Sequence, residues 1–178
     1  MCVNDLEYNQ SKERFNMRQV VLSLLVDNNP GVLARVSSLF SRRGYNIESV
    51  SAGVTNNPKY TRITVAVNGD DVILEQIRNQ IAKLEEVRKI ITLDNDTSVA
   101  RELMLIKVLA DRRDRRDIVA ITGEFRANIV DVDPNSMIIE LTGTQNKLDA
   151  FLNLRNDFEI LEMVRTGITG LERGMETL

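Results

Sequence analysis

The sequence predicts an α+β protein built from two successive βαββαβ units, each an antiparallel sheet with both helices on one face. Two observations support this prediction. Apolar residues recur at period two in some segments and at helical spacing in others, with Asn, Gly, Pro and Asp between the segments. The same order of elements then occurs twice along 178 residues, a length that suits one domain or two small ones.

The first predicted unit covers residues 18–95. Its clearest strand is 60–67, in which Ile63, Val65 and Val67 share one face. Gly44 is a suitable left-handed stop for the first helix. In chain order, the predicted elements are strand 19–26, helix 30–43, strand 45–54, strand 60–67, a helix from Asp70 with Leu74, Ile77, Ile81 and Leu84 on one side, and strand 87–93.

The second predicted unit covers residues 96–178 and repeats this pattern with low identity. Asn128 and Ile129 stand where the first unit has Asn46 and Ile47. The predicted elements are strand 103–109, a helix whose last part is 117–126, strand 128–132, strand 137–141, a helix opened by Leu148, Phe151 and Leu152, and strand 160–168.

A βαββαβ unit is the split-βαβ, or ferredoxin-like, arrangement. Right-handed crossovers predict the strand order 4-1-3-2 in each sheet. Because the helices cover only one face, the other face and one edge need a partner, and pairing two units is the natural answer. Residues 1–17 are polar and aperiodic, which predicts a loose N-terminal tail.

The composition and charge of the chain argue against several classes of partner. The formal net charge is −3, which disfavours a general attraction to nucleic acid or acidic membranes. No segment reaches the ~18 apolar residues of a membrane span, and the acidic start lacks the apolar stretch of a signal peptide. Cys2 is the single cysteine, which fits a reducing compartment. We therefore expect a cytoplasmic protein without a nucleic-acid or membrane partner.

The residues of the common catalytic and cofactor sites are missing from the sequence. It contains no histidine, the commonest general base and metal ligand. Its Cys, Asp and Glu residues do not have the spacing of zinc ligands. It has no Gly-x-x-x-x-Gly-Lys-Ser/Thr, Gly-x-Gly-x-x-Gly or Gly-x-Ser-x-Gly pattern. We therefore expect no catalytic residue, metal site or cofactor in this chain.

The most informative segment is the turn at residues 27–33, DNNPGVL, between the first strand and the first helix. Asn29 is suited to cap the helix, and Pro30 is suited to its first position. Gly31 has no side chain to shield the free backbone N–H groups of the first turn. Together with the positive end of the helix dipole, those donors favour an anion such as a carboxylate. The same residues also fit a plain helix start that binds nothing.

The segments around this turn, residues 26–36 (VDNNPGVLARV) and 39–50 (LFSRRGYNIESV), resemble the ACT domain. More narrowly, three strings are similar to the small regulatory subunits of acetolactate synthase (acetohydroxyacid synthase). They are residues 43–49 (RGYNIES), 147–152 (KLDAFL) and 165–168 (RTGI). The resemblance covers about residues 18–173, nearly the whole chain.

This resemblance implies an ACT domain over residues 18–95, for effector binding and dimerisation, and an ACT-like regulatory domain over 96–178. It implies a chain that catalyses nothing alone and activates a separate large catalytic subunit, in which thiamine diphosphate, FAD and Mg are expected. It also implies feedback inhibition by branched-chain amino acids, above all valine.

The resemblance places the effector between helix one of one copy and strand two of another, which implies a homodimer through residues 18–95. The backbone N–H groups after Pro30 then meet the effector carboxylate, and Asn amides offer oxygens to its ammonium or donors to its carboxylate. Leu33 and Ile47 line a small apolar pocket in this arrangement. Asn46 also fits a turn residue that follows Gly44. The candidate effector-binding residues are Asn28, Asn29, Gly31, Val32, Leu33, Asn46 and Ile47.

The second repeat departs from the first at the corresponding turn. It has residues 111–116, DRRDRR, where the first repeat has the Asn-Asn-Pro-Gly turn. We therefore do not expect it to bind an effector in the same way. The run fits a solvated helix start, because its charges are of mixed sign, and it also fits a contact with the catalytic subunit.

Two other classes of protein share parts of this pattern. An RNA-recognition domain has the same fold outline, but it needs stacking aromatic residues on its central strands. Ile63, Val65 and Val67 offer none. An amino-acid-sensing domain of another enzyme or of a transcription system remains the alternative, although no helix-turn-helix segment precedes the repeats.

Overall fold

The apolar periodicity of the sequence corresponds to two α+β units in the computed structural model, which describes residues 18–153, 158–175 and 177–178. Each unit has the predicted βαββαβ order, so the predicted fold class is confirmed. The predicted loose tail, residues 1–17, lies outside the described residues.

The described part of the first unit, from residue 18 onward, contains four strands and two helices in the expected order. They are β1 (Arg18–Asp27), α1 (Val32–Arg42), β2 (Ile47–Val54), β3 (Tyr60–Gly69), α2 (Asp71–Ile81) and β4 (Val87–Thr92). The strand order is β2-β3-β1-β4, as predicted, and every neighbouring pair is antiparallel.

Alternate residues of β1 and β3 form the core of the first unit together with one side of each helix. Leu24 and Val65 are fully buried on the strands, as are Phe40 of α1 and Ile77 of α2. Since both helices pack on the same strand residues, they cover one face of the sheet.

Helix α1 begins later than predicted, at Val32 instead of Pro30. The prediction that Asn29 caps this helix is wrong, because Gly31 is the N-cap, with a left-handed φ of 85° and no side-chain cap. The reason is that β1 continues to Asp27. The following residues must turn the chain, and the Asn29 N–H donates to the Asp27 carbonyl at 2.9 Å.

The second unit repeats the order with one additional short strand. Its elements are β5 (Ser98–Leu109), α3 (Arg115–Glu124), β6 (Asn128–Asp133), β7 (Ser136–Gly143), α4 (Gln145–Asn153) and β8 (Ile160–Arg165), and the additional strand β9 (Thr169–Glu172) follows them along the chain. The sheet order is β6-β7-β5-β8, and β9 also pairs with β5. In the core, Phe151 packs edge-to-face on Phe125 with ring centroids 5.2 Å apart.

The predicted last strand, residues 160–168, is wrong in its extent, because the structure has β8 and β9 with a break between them. Gly167 lies in the break with a φ of 79°, a conformation that glycine adopts readily and a strand does not use. The Thr166 N–H donates to the Leu103 carbonyl at 3.0 Å, which holds the start of the break against β5.

The chain divides into a first unit that runs to Val99 and takes in Gly170–Leu178, and a second unit, Ala100–Thr169. This division differs from the predicted one, which fell after residue 95 and assigned the whole C-terminal part to the second unit. We call Gly170–Leu178 the C-terminal strap.

Glu172 and Thr177 of the C-terminal strap lie beside the helix-free face of the first sheet. Arg62 of β3 and Lys89 of β4 both pair with Leu25 of β1, in a row that alternates with the core residues. The Lys89 ammonium donates to the Thr177 carbonyl. Burial lowers the pKa of Arg62, and the carboxylate of Glu172 opposes this shift. The strap therefore supplies both a hydrogen-bond acceptor and a countercharge to this face.

Candidate effector site

The β1–α1 loop, residues 28–31, is tied to the turn between β2 and β3 through Asn28. The Asn28 backbone N–H donates to the Lys59 carbonyl at 2.8 Å, and its side-chain Nδ2 donates to the Pro58 carbonyl at 3.0 Å. The Thr61 hydroxyl donates to Asn28 Oδ1 at 3.0 Å. Sequence analysis did not assign Pro58, Lys59 or Thr61 to the site. The signal that points to them is the strand order, which puts the β2–β3 turn beside the end of β1.

The first turn of α1 presents unpaired backbone donors. Within the described residues, the N–H groups of Gly31, Leu33 and Ala34 make no hydrogen bond, and that of Val32 reaches the Asn29 carbonyl only at 3.4 Å. A Cβ built on Gly31 meets no atom within 4 Å, so the approach to these donors is open. The arrangement suits a carboxylate, because donors at a helix N-terminus attract anions.

The candidate residues of this loop have different environments. Asn28, Asn29 and Gly31 are exposed, and Leu33 is 46% exposed, so its apolar side chain is available to a ligand. Val32 is only 4% exposed and packs in the core. The backbone of Val32, and not its side chain, is therefore the part that faces the site.

Arginines neutralise the carboxylates next to the loop. Arg88 contacts both carboxylate oxygens of Asp27, with Nε to Oδ1 at 2.8 Å. These hydrogen bonds hold the pKa of Asp27 below its usual value. Arg35 forms a second ion pair, with Glu86, at 2.6 Å from Nη1 to Oε1. A ligand carboxylate at this loop therefore finds the acidic side chains of Asp27 and Glu86 already neutralised, and the backbone N–H groups at the start of α1 available.

Asn46 and Ile47 lie at the other end of the sheet from Asn28. Ile47 pairs with Val67 of β3, whereas Asn28 is bonded to Thr61 of that strand. At about 3.3 Å per residue, Thr61 and Val67 are about 20 Å apart along β3. The structure therefore does not bring Asn28 and Asn46 together within one copy of the chain.

Strand β2 is an edge of the first sheet and carries no charged side chain from Val50 to Val54. Val54 is 61% exposed. The one charged residue of the strand, Glu48, accepts hydrogen bonds from Gln19 and Asn68 of its own unit. The stretch Val50–Val54, which we call the uncharged β2 edge, therefore lacks the usual protection against pairing with another strand.

The corresponding loop of the second unit contains its own anion. Asp111 Oδ1 accepts the backbone N–H groups of Arg113 at 2.6 Å and Asp114 at 3.1 Å. These two hydrogen bonds hold the pKa of Asp111 below its usual value. The Arg115 guanidinium donates to the Asp133 carbonyl of β6. The Asp111 carboxylate therefore already binds backbone N–H groups before α3, whereas the N–H groups at the start of α1 remain available to a ligand.

Two of the sequence strings that carried the family resemblance meet in the second unit. Arg165 of β8 forms a bidentate ion pair with Glu102 of β5, at 2.9 and 2.7 Å, and its Nη1 lies 3.0 Å from Asp149 Oδ1 of α4. The Glu102 side chain is only 5% exposed. Its hydrogen bonds raise the pKa of Arg165. These charges link β5, β8 and α4, which is a structural role.

Over residues 18–153, 158–175 and 177–178, no group of three or more His, Cys, Asp or Glu side chains is arranged to hold a metal ion. None of the helices in the same described part of the chain is long and apolar enough to span a membrane.

Two family models match the chain. The model described as an AHAS small subunit-like ACT domain matches residues 22–89, and the model described as the small subunit of acetolactate synthase matches residues 101–174. Each model corresponds to one of the two βαββαβ repeats.

Individual relatives and a solved structure agree with these models. The acetolactate synthase small subunit of Mycobacterium bovis is 47% identical over 153 residues, which are 86% of this chain and 91% of that protein. The isozyme 3 small subunit of Salmonella typhimurium is 43% identical over 155 residues, 86% and 95% of the two chains. The crystal structure of the Thermotoga maritima small subunit superposes with a TM-score of 0.81 at 40% identity, covering 89% of this chain and 99% of that one. These matches do not favour a sensor for another enzyme or a transcription system.

Proposed function

Because this chain belongs to the family of acetolactate synthase small subunits, which regulate that enzyme, we propose that it activates the large catalytic subunit and confers feedback inhibition by valine. In this proposal the chain performs no chemistry itself. Thiamine diphosphate, FAD and Mg are held by the catalytic subunit, and this chain supplies the effector site. The two proteins meet in the cytoplasm, where branched-chain amino acids are made.

The observation that supports an effector site is the free first turn of α1 beside Asn28. A free amino acid is a zwitterion, so its recognition needs donors for a carboxylate, acceptors for an ammonium and a surface for one side chain. The N–H groups of Gly31 and Leu33 are the donors. The amide of Asn28 offers both a donor and an acceptor, and the exposed side chain of Leu33 offers the apolar surface.

A second copy of the chain completes this site in the proposal. Asn46 and Ile47 lie about 20 Å from Asn28 along the sheet, so one copy alone cannot surround a small ligand. Antiparallel pairing of β2 with β2 of a second copy reverses the direction of the partner sheet. Such pairing brings the partner's start of β2 towards the β1–α1 loop, at two equivalent sites. The uncharged β2 edge supports this pairing.

Reconstitution tests the proposed activity. Acetolactate formation from pyruvate is measured for this chain alone, for its catalytic subunit alone, and for the mixture over a valine titration. We expect no turnover from this chain, higher turnover in the mixture than in the catalytic subunit alone, and inhibition of the mixture by valine. Turnover by the isolated chain, or a mixture that behaves like the catalytic subunit alone, would contradict the proposal.

Calorimetric titration tests the nature of the effector. A site that recognises the head group by hydrogen bonds is expected to reject analogues that lack either charge. It is expected to separate valine from leucine or isoleucine only weakly, because one methylene in an apolar pocket is worth about 1–3 kcal/mol. Tighter binding of an acidic or basic amino acid than of valine would overturn the proposed pocket.

A further inference from the structure

The orientation of the Asn28 amide is determined by its neighbours. The Pro58 carbonyl can only accept a hydrogen bond, so the amide nitrogen of Asn28 must be the group that faces it, at 3.0 Å. Asn28 Oδ1 then faces the hydroxyl of Thr61, which donates to it at 3.0 Å. The reverse orientation would put two carbonyl oxygens against each other at Pro58.

These two hydrogen bonds leave part of the amide for a ligand. An amide has two N–H donors and two lone pairs on its oxygen. Pro58 uses one donor and Thr61 uses one lone pair, so one of each remains on an exposed side chain. The remaining N–H donor suits a carboxylate, and the remaining lone pair suits an ammonium. Both stay in place only as long as the amide does not rotate.

We propose that Thr61 is a positioning residue for the effector, because its hydroxyl fixes the Asn28 amide in the orientation that reads the amino-acid head group. This inference rests on the proposed function. The hydroxyl of Thr61 contributes nothing to the pairing of β3, whose backbone pairs Thr61 with Val26 and Val54. Its role is therefore separable from that of the strand.

Variants at Thr61 test this role. Thr61→Val keeps the β-branched shape and removes only the hydroxyl, and Thr61→Ser restores a hydroxyl without the methyl group. Calorimetric titration of the full chain with valine is expected to give a Kd about three- to tenfold weaker for Thr61→Val, the factor that one hydrogen bond of ordinary net strength corresponds to. Thr61→Ser is expected to bind within about twofold of the wild type.

A second readout separates positioning from general loosening of the site. Thr61→Val is expected to weaken valine and leucine by the same factor, because both share one head group. Unequal weakening would show that the pocket itself has changed and would overturn the inference. Thermal melting checks that each variant is folded, and Thr61→Ala, which also lacks the hydroxyl, decides the question if Thr61→Val does not fold.

Asn28→Ala distinguishes failure of this inference from failure of the proposed function. We expect it to weaken valine binding more than any Thr61 variant does. If Asn28→Ala binds valine weakly and Thr61→Val binds it like the wild type, Thr61 is not a positioning residue, and the proposed effector site stands. Wild-type binding by Asn28→Ala would overturn the proposed site and this inference together.

Discussion

Gly31 adopts a backbone conformation that other residues avoid, and this makes the β1–α1 loop sensitive to a small change. Its φ is 85°, although a Cβ would meet no neighbouring atom within 4 Å. We predict that Gly31→Ala destabilises the protein by about 1–2 kcal/mol, the cost of a left-handed alanine. The measurement is the free energy of unfolding in urea.

Gly123 provides the matched control for this substitution. It lies in α3 with ordinary helical dihedrals, and a Cβ there also meets nothing within 4 Å. Gly123→Ala is expected to stabilise the protein by about 0.5–1 kcal/mol. If both variants change stability in the same direction, the backbone of Gly31 is not the cause.

Asp111 makes the loop of the second unit dependent on pH. Backbone hydrogen bonds lower its pKa in the folded protein, so its stabilising effect is present above the unfolded pKa of about 3.9. That effect is lost as the pH falls through the folded pKa. We predict that Asp111→Ala melts at a lower temperature than the wild type at pH 7, and that this gap closes as the pH falls below about 4. A gap that stays constant over this range would assign the difference to another cause.

At the scale of single elements, hydrogen bonds anchor the C-terminal strap to the first unit. The Arg173 N–H donates to the Thr97 carbonyl at 2.8 Å, and Lys89 reaches Thr177. We predict that removal of Gly170–Leu178 lowers the melting temperature, by roughly 2–4 °C for each kcal/mol of stability lost. Lys89→Met keeps the strap and removes one of its anchors, so it should melt between the truncated and full-length proteins. Equal melting temperatures for all three would mean that the strap does not stabilise the sheet.

Elements whose pattern depends on local burial could be predicted from the sequence. Ile63, Val65 and Val67 identify β3 because a sheet with one buried face needs an apolar residue at every second position. The start of α1 could not be predicted in this way. Asn29 and Pro30 favour an early helix locally, but the pairing of Asp27 with Tyr60, which is distant in sequence, extends β1 and delays it.

In the candidate site too, local features could be predicted from the sequence and contacts between distant segments could not. The free donors of the β1–α1 loop follow from a turn motif, which the sequence displays. The hydrogen bonds of Asn28 to Pro58 and Thr61 depend on how two loops meet, which only the folded sheet decides. Glu102 is a further case, since a buried carboxylate in β5 is explained only by Arg165, 63 positions further along the chain.

At the scale of the whole molecule, the exposed sheet edges predict how copies assemble. We predict that Val50→Lys, on the uncharged β2 edge, sediments as a monomer at micromolar concentration and no longer binds valine, because a lysine on an edge strand blocks pairing. The wild type is expected to sediment as a dimer. A wild type that is monomeric with and without valine would contradict the proposed site.

Val132 offers a matched control on the other unit. It occupies the same place in β6 as Val50 does in β2, and it is 56% exposed. Asp131 and Asp133 on that strand already oppose pairing of β6 with itself, since like charges would face each other. Val132→Lys is therefore expected to remain a dimer that binds valine. Dissociation of this variant as well would place the interface elsewhere.

The C-terminal strap belongs to the first unit, although it follows the second unit along the chain. Since Val99 and Gly170 both belong to the first unit, the second unit is an inserted domain, and the first is a discontinuous one. The bond between Arg173 and Thr97 brings the two points of insertion side by side, as is usual where one domain is spliced into another. Replacing Ala100–Thr169 by a short Gly-Ser bridge would therefore retain the four strands of the first sheet and the hydrogen bonds that join Arg173 to Thr97 and Lys89 to Thr177. One compact unit is therefore made of two segments that are far apart in sequence, and the other is made of the residues between them.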